Sequence, residues 1–232
     1  MIKPGDVISY LDMCREEGVN LQRGMNFRLR SGLTVVLMSI RKGAPYADRV
    51  EDDGRVLIYE GHDVPSERGG PDPKKVDQLA HNPGGGLTQN GLFEEVALAH
   101  KRGETEADLV KVYEKLRPGI WVYNGVFQLL DAWRERSNDR EVFKFKLQLT
   151  EDMSLSAYVP NETTIDHNRL IPTAVKLTVW KRDKGKCVKC SSTDNLHFDH
   201  IIPYSKGGSS LVAENVQLLC ARHNIAKRDT LE

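Results

Sequence analysis

Cysteine is scarce in this chain of 232 residues. Only four are present, and three of them, Cys187, Cys190 and Cys220, fall in metal-ligand spacings described below. Cys14 then has no evident disulfide partner, which excludes a disulfide-stapled secreted scaffold and points to reducing conditions. Long apolar runs are absent too. The longest, Leu33 to Ile40, is interrupted by Thr34 and Ser39 and is far too short to cross a bilayer, so no membrane partner is expected. The opening residues Met1-Ile2-Lys3-Pro4-Gly5-Asp6 lack a basic segment followed by an apolar core, so no secretory signal is expected and a cytoplasmic location is. Net charge is also missing: 33 Lys and Arg balance 33 Asp and Glu. Taken as a sum, that balance argues against a nucleic-acid partner.

What remains is an ordinary globular composition, 39% hydrophobic and 28% charged, on a chain long enough for two domains with real cores. The charge is unevenly distributed. Residues 170–232 hold ten Lys and Arg against six Asp and Glu, with Lys181, Arg182, Lys184, Lys186 and Lys189 close together. This is a weak pointer to a polyanionic partner in the carboxy-terminal part.

The same part holds the strongest pattern. Cys187-x2-Cys190 and Cys220-x2-His223 can place three thiolates and an imidazole on one ion, a tetrahedral set that suits zinc. All four protein positions would be filled, so this ion would hold the fold rather than perform chemistry. Between the pairs, Leu196-His197-Phe198-Asp199-His200-Ile201-Ile202 alternates like a short strand and stops at Pro203. After a Gly207-Gly208 turn, Asn215-Val216-Gln217-Leu218-Leu219 forms a second arm, and the Cys220 pair opens a helix ending near Lys227. The order is strand, strand, helix.

These residues, Cys-x2-Cys, Asp-His-Ile-x-Pro, Gly-Gly, Asn and Leu-Cys-x2-His-Asn-x2-Lys, closely resemble the HNH endonucleases of the ββα-metal fold, in the subgroup braced by a zinc knuckle. The resemblance covers Pro172 to Asp229. It implies that His200 is the general base, Asp199 and Asn224 ligands of a catalytic divalent ion, and Asn215 the residue that orients the base. The last letter of the signature is asparagine here, an HNN variant. The chemistry is sensible on its own terms. Phosphodiester hydrolysis needs a water deprotonated near neutral pH, where histidine titrates. It also needs a hard cation, Mg²⁺ or Mn²⁺ on oxygen donors, to stabilise charge on the leaving oxygen. His197 and His167 read as structural or phosphate-contacting residues.

The first 150 residues read differently. Val7-x2-Tyr10-Leu11-x2-Cys14 has helical spacing. Leu33–Ile40 and Val56–Tyr59 are β-branched, apolar strand candidates. Residues 65–86 are rich in proline and glycine and read as a long loop. Thr88 can cap a helix that runs to Gly103, and strands follow at Leu109–Leu116, Ile120–Trp133 and Val142–Leu149. Trp121 and Trp133 are expected in the core. Gly61 after Ile58-Tyr59-Glu60, the helix opening Leu87-Thr88-Gln89-Asn90, and Val122-Tyr123-Asn124-Gly125 through Trp133 together resemble the SRA (SET and RING associated, or YDG) domain, over about residues 23–150. That resemblance implies a PUA-like curved β-barrel with flanking helices, which flips a modified cytosine from duplex DNA into a pocket. Aromatic faces would sandwich the base and a carboxylate would accept from its N4 amino group. Tyr46, Asp48, Tyr59 and Glu60 occupy the matching positions.

The expected architecture is α+β: an SRA-like domain over residues 1–150, a linker over 151–169, and an HNH domain with a structural zinc knuckle over 170–232. The expected activity is a modification-dependent DNA endonuclease of prokaryotic type. It would read 5-methylcytosine or 5-hydroxymethylcytosine in double-stranded DNA and act as a homodimer to cut both strands. Two alternatives stay open: an HNH nuclease whose first domain reads unmodified DNA, and a non-catalytic reader in which the zinc knuckle only adds affinity.

Overall fold

A computed structural model describes residues 2–21, 23–30, 32–66, 68–150, 170–203 and 206–227. The expected linker at 151–169 and His167 lie outside the described residues.

The alternating and β-branched runs of the first 150 residues form strands β1 (Val7–Ser9), β2 (Met25–Asn26), β3 (Thr34–Met38), β4 (Arg49–Glu51), β5 (Val56–Glu60), β6 (Asp108–Arg117), β7 (Ile120–Ser137) and β8 (Arg140–Leu149). They make one sheet in the order β2-β3-β6-β7-β8-β5-β4, with β1 paired to β7 off that path. Only β3 and β6 run parallel; every other ladder is antiparallel. Among the described residues no ladder joins β2 to β4, so the expected barrel is, as described, a sheet whose two end strands are not paired with each other.

Helix α1 (Tyr10–Glu17) begins later than its spacing predicts, because Val7 to Ser9 pair with β7 instead and Ser9 caps the helix by accepting from the Asp12 amide. Helix α2 (Gln89–Lys101) is capped as expected by Thr88, which accepts from Gly91 N. It presses Phe93 and Ala97 into a core with Val36, Leu57, Phe127, Phe145 and Leu147. A second cluster, Met13, Leu21, Val35, Tyr113, Trp121 and Tyr123, includes α1 residues. Trp133 is only half-buried and donates to Glu135 Oε2 at 3.2 Å, so it does not join these buried clusters.

The carboxy-terminal part contributes α3 (Thr173–Arg182), β9 (Leu196–His200), β10 (Val216–Cys220) and α4 (Ala221–Lys227). The β9–β10 hairpin and α4 reproduce the predicted strand, strand, helix; α3 has no counterpart in that prediction. Its Val175 and Val179 share one buried cluster with Phe198, Leu218 and Cys220, and also with Leu116 and Val122 of the large sheet. Two apolar surfaces therefore merge into one core.

Polar contacts close the same seam. Lys176 Nζ lies 2.6 Å from Glu114 Oε2 and donates to Asn124 Oδ1 at 2.7 Å, Asn124 Nδ2 donates to Glu114 Oε2 at 3.1 Å, and Thr173 Oγ1 donates to Glu114 Oε1. Glu114 and Lys176 are fully enclosed. Asn124 can reach this place because the β6–β7 register shifts there: Val112 pairs with Gly125 and Tyr113 with Tyr123, leaving Asn124 as the bulged residue beside a glycine at φ 106°. The amino-terminal segment is mortared between the two parts. Gly5 N donates to Tyr123 O at 2.8 Å, Phe198 N donates to Gly5 O at 3.1 Å, and His197 Nδ1 meets Asp6 Oδ1 at 2.7 Å. His197 is thus a structural residue.

Removing one partner of a buried ion pair strands the other charge. Glu114→Ala should lower unfolding stability by about 3–5 kcal/mol, whereas Glu114→Gln, which keeps the hydrogen-bonding shape, should also strand Lys176 yet cost less. Urea denaturation of the two variants checks this order.

Candidate nuclease site and base pocket

The four expected zinc ligands converge. Their ligand atoms all lie within 4.8 Å of one another. Cys187 Sγ and Cys220 Sγ are each 3.4 Å from His223 Nδ1, and Cys190 Sγ is 3.7 Å from Cys220 Sγ. A tetrahedron with zinc–sulfur bonds of about 2.3 Å and a zinc–nitrogen bond of about 2.0 Å has edges of roughly 3.8 and 3.5 Å, so the cage fits zinc. Burial alone would push the Cys187 thiol up, but amide donors from Cys220, Lys189 and Cys190 outweigh it and hold the thiol at about 6. A thiolate is the form a metal needs. The knuckle is shaped by Cys187 N donating to Ser192 O and Ser191 N to Cys187 O, both at 2.8 Å, with Ser191 in the left-handed region at φ 61°.

Asp199 and His200 end β9 and are both buried. His200 Nε2 lies 2.8 Å from Ser210 Oγ. Asp199 Oδ2 is held by Lys227 Nζ at 2.6 Å and by Gln217 Nε2 at 3.4 Å, and Lys227 also donates to the His200 carbonyl. Asn215 sits against the chain that leaves His200. Its Oδ1 accepts from Ile202 N at 2.8 Å, its Nδ2 donates to Ile202 O at 3.0 Å and Ser209 O at 3.1 Å, and its backbone carbonyl accepts from Ile201 N. Its described bonds thus reach the backbone beyond His200 rather than the imidazole. Gly208 makes the close approach possible: a Cβ there would lie 1.8 Å from Ile202 O and 2.7 Å from Asn215 Nδ2.

Asn224 is half-buried on α4. It lies one turn before Lys227 and so shares a helix face with the residue that reaches Asp199. Carboxylate and amide oxygens on facing elements are donors for a hard divalent ion.

Ser210, Gln217 and the placement of Lys227 were not visible in the sequence. Ser210 sits in a Gly-Gly-Ser-Ser stretch with no period, and only folding brings it to the histidine. The basic cluster also reads differently. Arg182 is committed to Asp183 at 2.6 Å and to the carbonyls of Ala213 and Val216 at 2.7 and 2.6 Å, so it braces the fold.

The four expected pocket residues are brought together. Asp48 Oδ2 accepts from Ser39 N and Oδ1 from Glu60 N, each at 3.0 Å. Glu60 Oε2 accepts from Ala47 N at 3.1 Å and from Lys144 Nζ at 2.9 Å. Tyr59 is buried with its hydroxyl 3.0 Å from His62 Nε2. Tyr46 stacks on His62, centroids 4.9 Å apart and planes within 6°. His62 escaped the sequence reading, since a histidine after a strand carries no local signal.

Residues 187–230 match the model of the HNH endonuclease family. The chain therefore carries an HNH endonuclease domain, the part that makes it an enzyme acting on DNA. Among solved structures, it is similar to the SUVH5 SRA domain bound to hemimethylated CG DNA, at TM-score 0.46 and 21% identity over 69% of this chain and 94% of that one. The same domain bound to fully hydroxymethylated CG DNA gives TM-score 0.45 and 23% identity over 69% and 95%. The modification-dependent TagI restriction endonuclease gives TM-score 0.40 and 20% identity over 96% of this chain and 76% of that one. These TM-scores are too low to establish a common fold. No curated protein matches the chain. No helix among the described residues is long and apolar enough to cross a membrane.

Two expectations follow. Cys187→Ser, or strong chelation, should remove zinc and melt the β9–β10–α4 unit, because ligation supplies folding free energy; metal content and circular dichroism read both effects. The pocket should also titrate in opposite senses. Burial raises Asp48 to about 6 and lowers His62 to about 4. Ionised Asp48 is penalised in the fold, so its contribution to stability falls as pH rises from about 4 to 6. Protonated His62 is penalised, so its contribution rises with pH from about 4 to 6.5. Relative to the parent, Asp48→Asn should gain up to about 3 kcal/mol across that window and His62→Phe should lose about as much, measured by urea denaturation at a series of pH values.

Proposed function

We propose that this chain is a modification-directed DNA endonuclease, in which the sheet domain reads 5-methylcytosine or 5-hydroxymethylcytosine extruded from the duplex and the HNH domain cuts nearby. The observation that carries the reading is the juxtaposition itself. A zinc-braced Asp199-His200 hairpin shares one core and a buried ion pair with a sheet that gathers two tyrosines, a histidine and two carboxylates in one place. The proposed domain division is residues 1–150 and 170–232. Segment 3–9 belongs to the first by sequence and touches both.

In this reading His200 takes the proton from the attacking water. Ser210, whose Oγ lies 2.8 Å from its Nε2, helps to fix the ring plane. Asp199 and Asn224 would hold Mg²⁺ or Mn²⁺, which supplies charge stabilisation at the scissile phosphate. Asn215 keeps the backbone after His200 from sliding, and Lys227 holds the Asp199 carboxylate in one orientation. One active site per chain makes a homodimer the simplest way to cut both strands.

His200→Ala should reduce cleavage of methylated plasmid by at least about a hundredfold while zinc content and DNA binding stay near parental values. Undiminished cleavage would refute the base assignment. Equal cutting of methylated and unmethylated plasmid would instead favour a domain that reads unmodified DNA, and binding without cutting in either metal would favour the non-catalytic reader.

A further inference from the structure

Beside the expected pocket lies an open cleft of about 730 Å³, lined by His62, Asp63, Arg23, Gln89, Asn90 and the proline-rich loops that follow β5. Its volume falls within the range of pockets that enclose a ligand the size of a nucleotide. None of Tyr46, Asp48, Tyr59 or Glu60 lines it.

The space beside Tyr46 is already filled. Tyr46 and His62 are already in contact at 4.9 Å between ring centres, whereas a base inserted between two rings needs two spacings of roughly 3.5 Å each. Lys74 Nζ lies a further 4.0 Å from the centre of the Tyr46 ring. Tyr59 is enclosed in the core beneath. Two imidazoles do line the cleft, those of His62 and the exposed His81, and of the two it is His62 that stacks on Tyr46 and is held in place. Asn90 grips its backbone from both sides, Oδ1 accepting from His62 N and Nδ2 donating to His62 O, each at 2.8 Å. Its ring edge is fixed by the Tyr59 hydroxyl and by Gly24, where a Cβ would come within 2.6 Å of Nε2. Burial keeps the imidazole neutral, so it stacks as an uncharged ring. Arg23, exposed at the cleft, is placed for a phosphate.

We propose that the extrahelical nucleotide enters this cleft and stacks on His62, with Tyr46 as the layer behind it, so that His62 is the base-contacting aromatic of the reader. The assignment rests on the modified-cytosine reading above and names the residue that would execute it. Asn90 and Gly24 are positioning residues for the ring.

The test uses the full chain in Ca²⁺, which is expected to leave the duplex uncut, and measures anisotropy with duplexes carrying one 5-methylcytosine or none. Fluorescence of 2-aminopurine next to the modified base reports extrusion. Base–aromatic stacking predicts that His62→Ala lowers the preference for the methylated duplex by roughly fivefold to a hundredfold and suppresses the 2-aminopurine signal. His62→Phe should keep most of both, since the stacking face survives. Gly24→Ala, which displaces the ring without removing it, should reproduce the His62→Ala loss, so the proposal can still be judged if His62→Ala fails to fold. A parental chain indifferent to methylation overturns the reader reading, and this assignment with it. A parental preference that survives in a folded His62→Ala or in Gly24→Ala overturns the His62 assignment alone.

Discussion

Three sulfurs and an imidazole nitrogen gathered within 4.8 Å are the constraint from which the nuclease site is built. Helix α4 is only seven residues long, far below the length at which an isolated helix holds itself. It is fixed at its start by Cys220 and His223 in the metal cage and at its end by Lys227 in a buried pair with Asp199. Those two anchors determine where Asn224 stands between them. The same Lys227 bonds the carbonyl of His200, so the cage, the helix and the end of β9 form one mechanical loop. Loosening the cage would therefore disorder the proposed catalytic residues without any of them being touched.

That loop is in turn seated on the large sheet. Phe198, the neighbour of Asp199, sits in a core with Leu116 and Val122 of the sheet and bonds the carbonyl of Gly5. Apolar burial alone would allow the two surfaces to slide, since it is not directional. The Glu114–Lys176–Asn124 network adds direction: each buried polar atom has a partner, and any other register would leave charges unpaired. Taking two charges out of water offsets much of their mutual attraction, so the pair is weak evidence for added net stability.

How much of this the sequence revealed depends on the range of the interaction. The zinc set, the β9–β10–α4 order and the Thr88 cap were legible because each is written within a few residues: two ligand pairs, one alternating run, one capping threonine. The spacing of Val7, Tyr10 and Cys14 predicts helix where β1 lies, yet Val7 to Ser9 pair with β7, more than a hundred residues away. By sequence Arg182 belongs to the basic cluster that points to a polyanionic partner, because its carbonyl partners, 31 and 34 residues on, leave no mark beside it. Ser210 and His62 were missed for the same reason, since neither has a spacing that distinguishes it from loop polarity.

The Tyr123-Asn124-Gly125 tripeptide shows how one local feature can serve both parts of the molecule. Tyr123 packs with Tyr113 in the cluster that includes α1 residues, ring centres 5.0 Å apart. Gly125 takes a backbone angle that a side chain would resist, and the bulge this permits presents Asn124 to Lys176 and Glu114 on the nuclease side of the sheet. Without the bulge, the strict alternation of a strand would give position 124 only the choice of one sheet face or the other, with its carbonyl and amide in the ladder. A bulge next to a functional seam re-aims one side chain while the strands on either side remain paired. The seam between sheet and nuclease is thus specified by the backbone of β7 as much as by the charges that meet there.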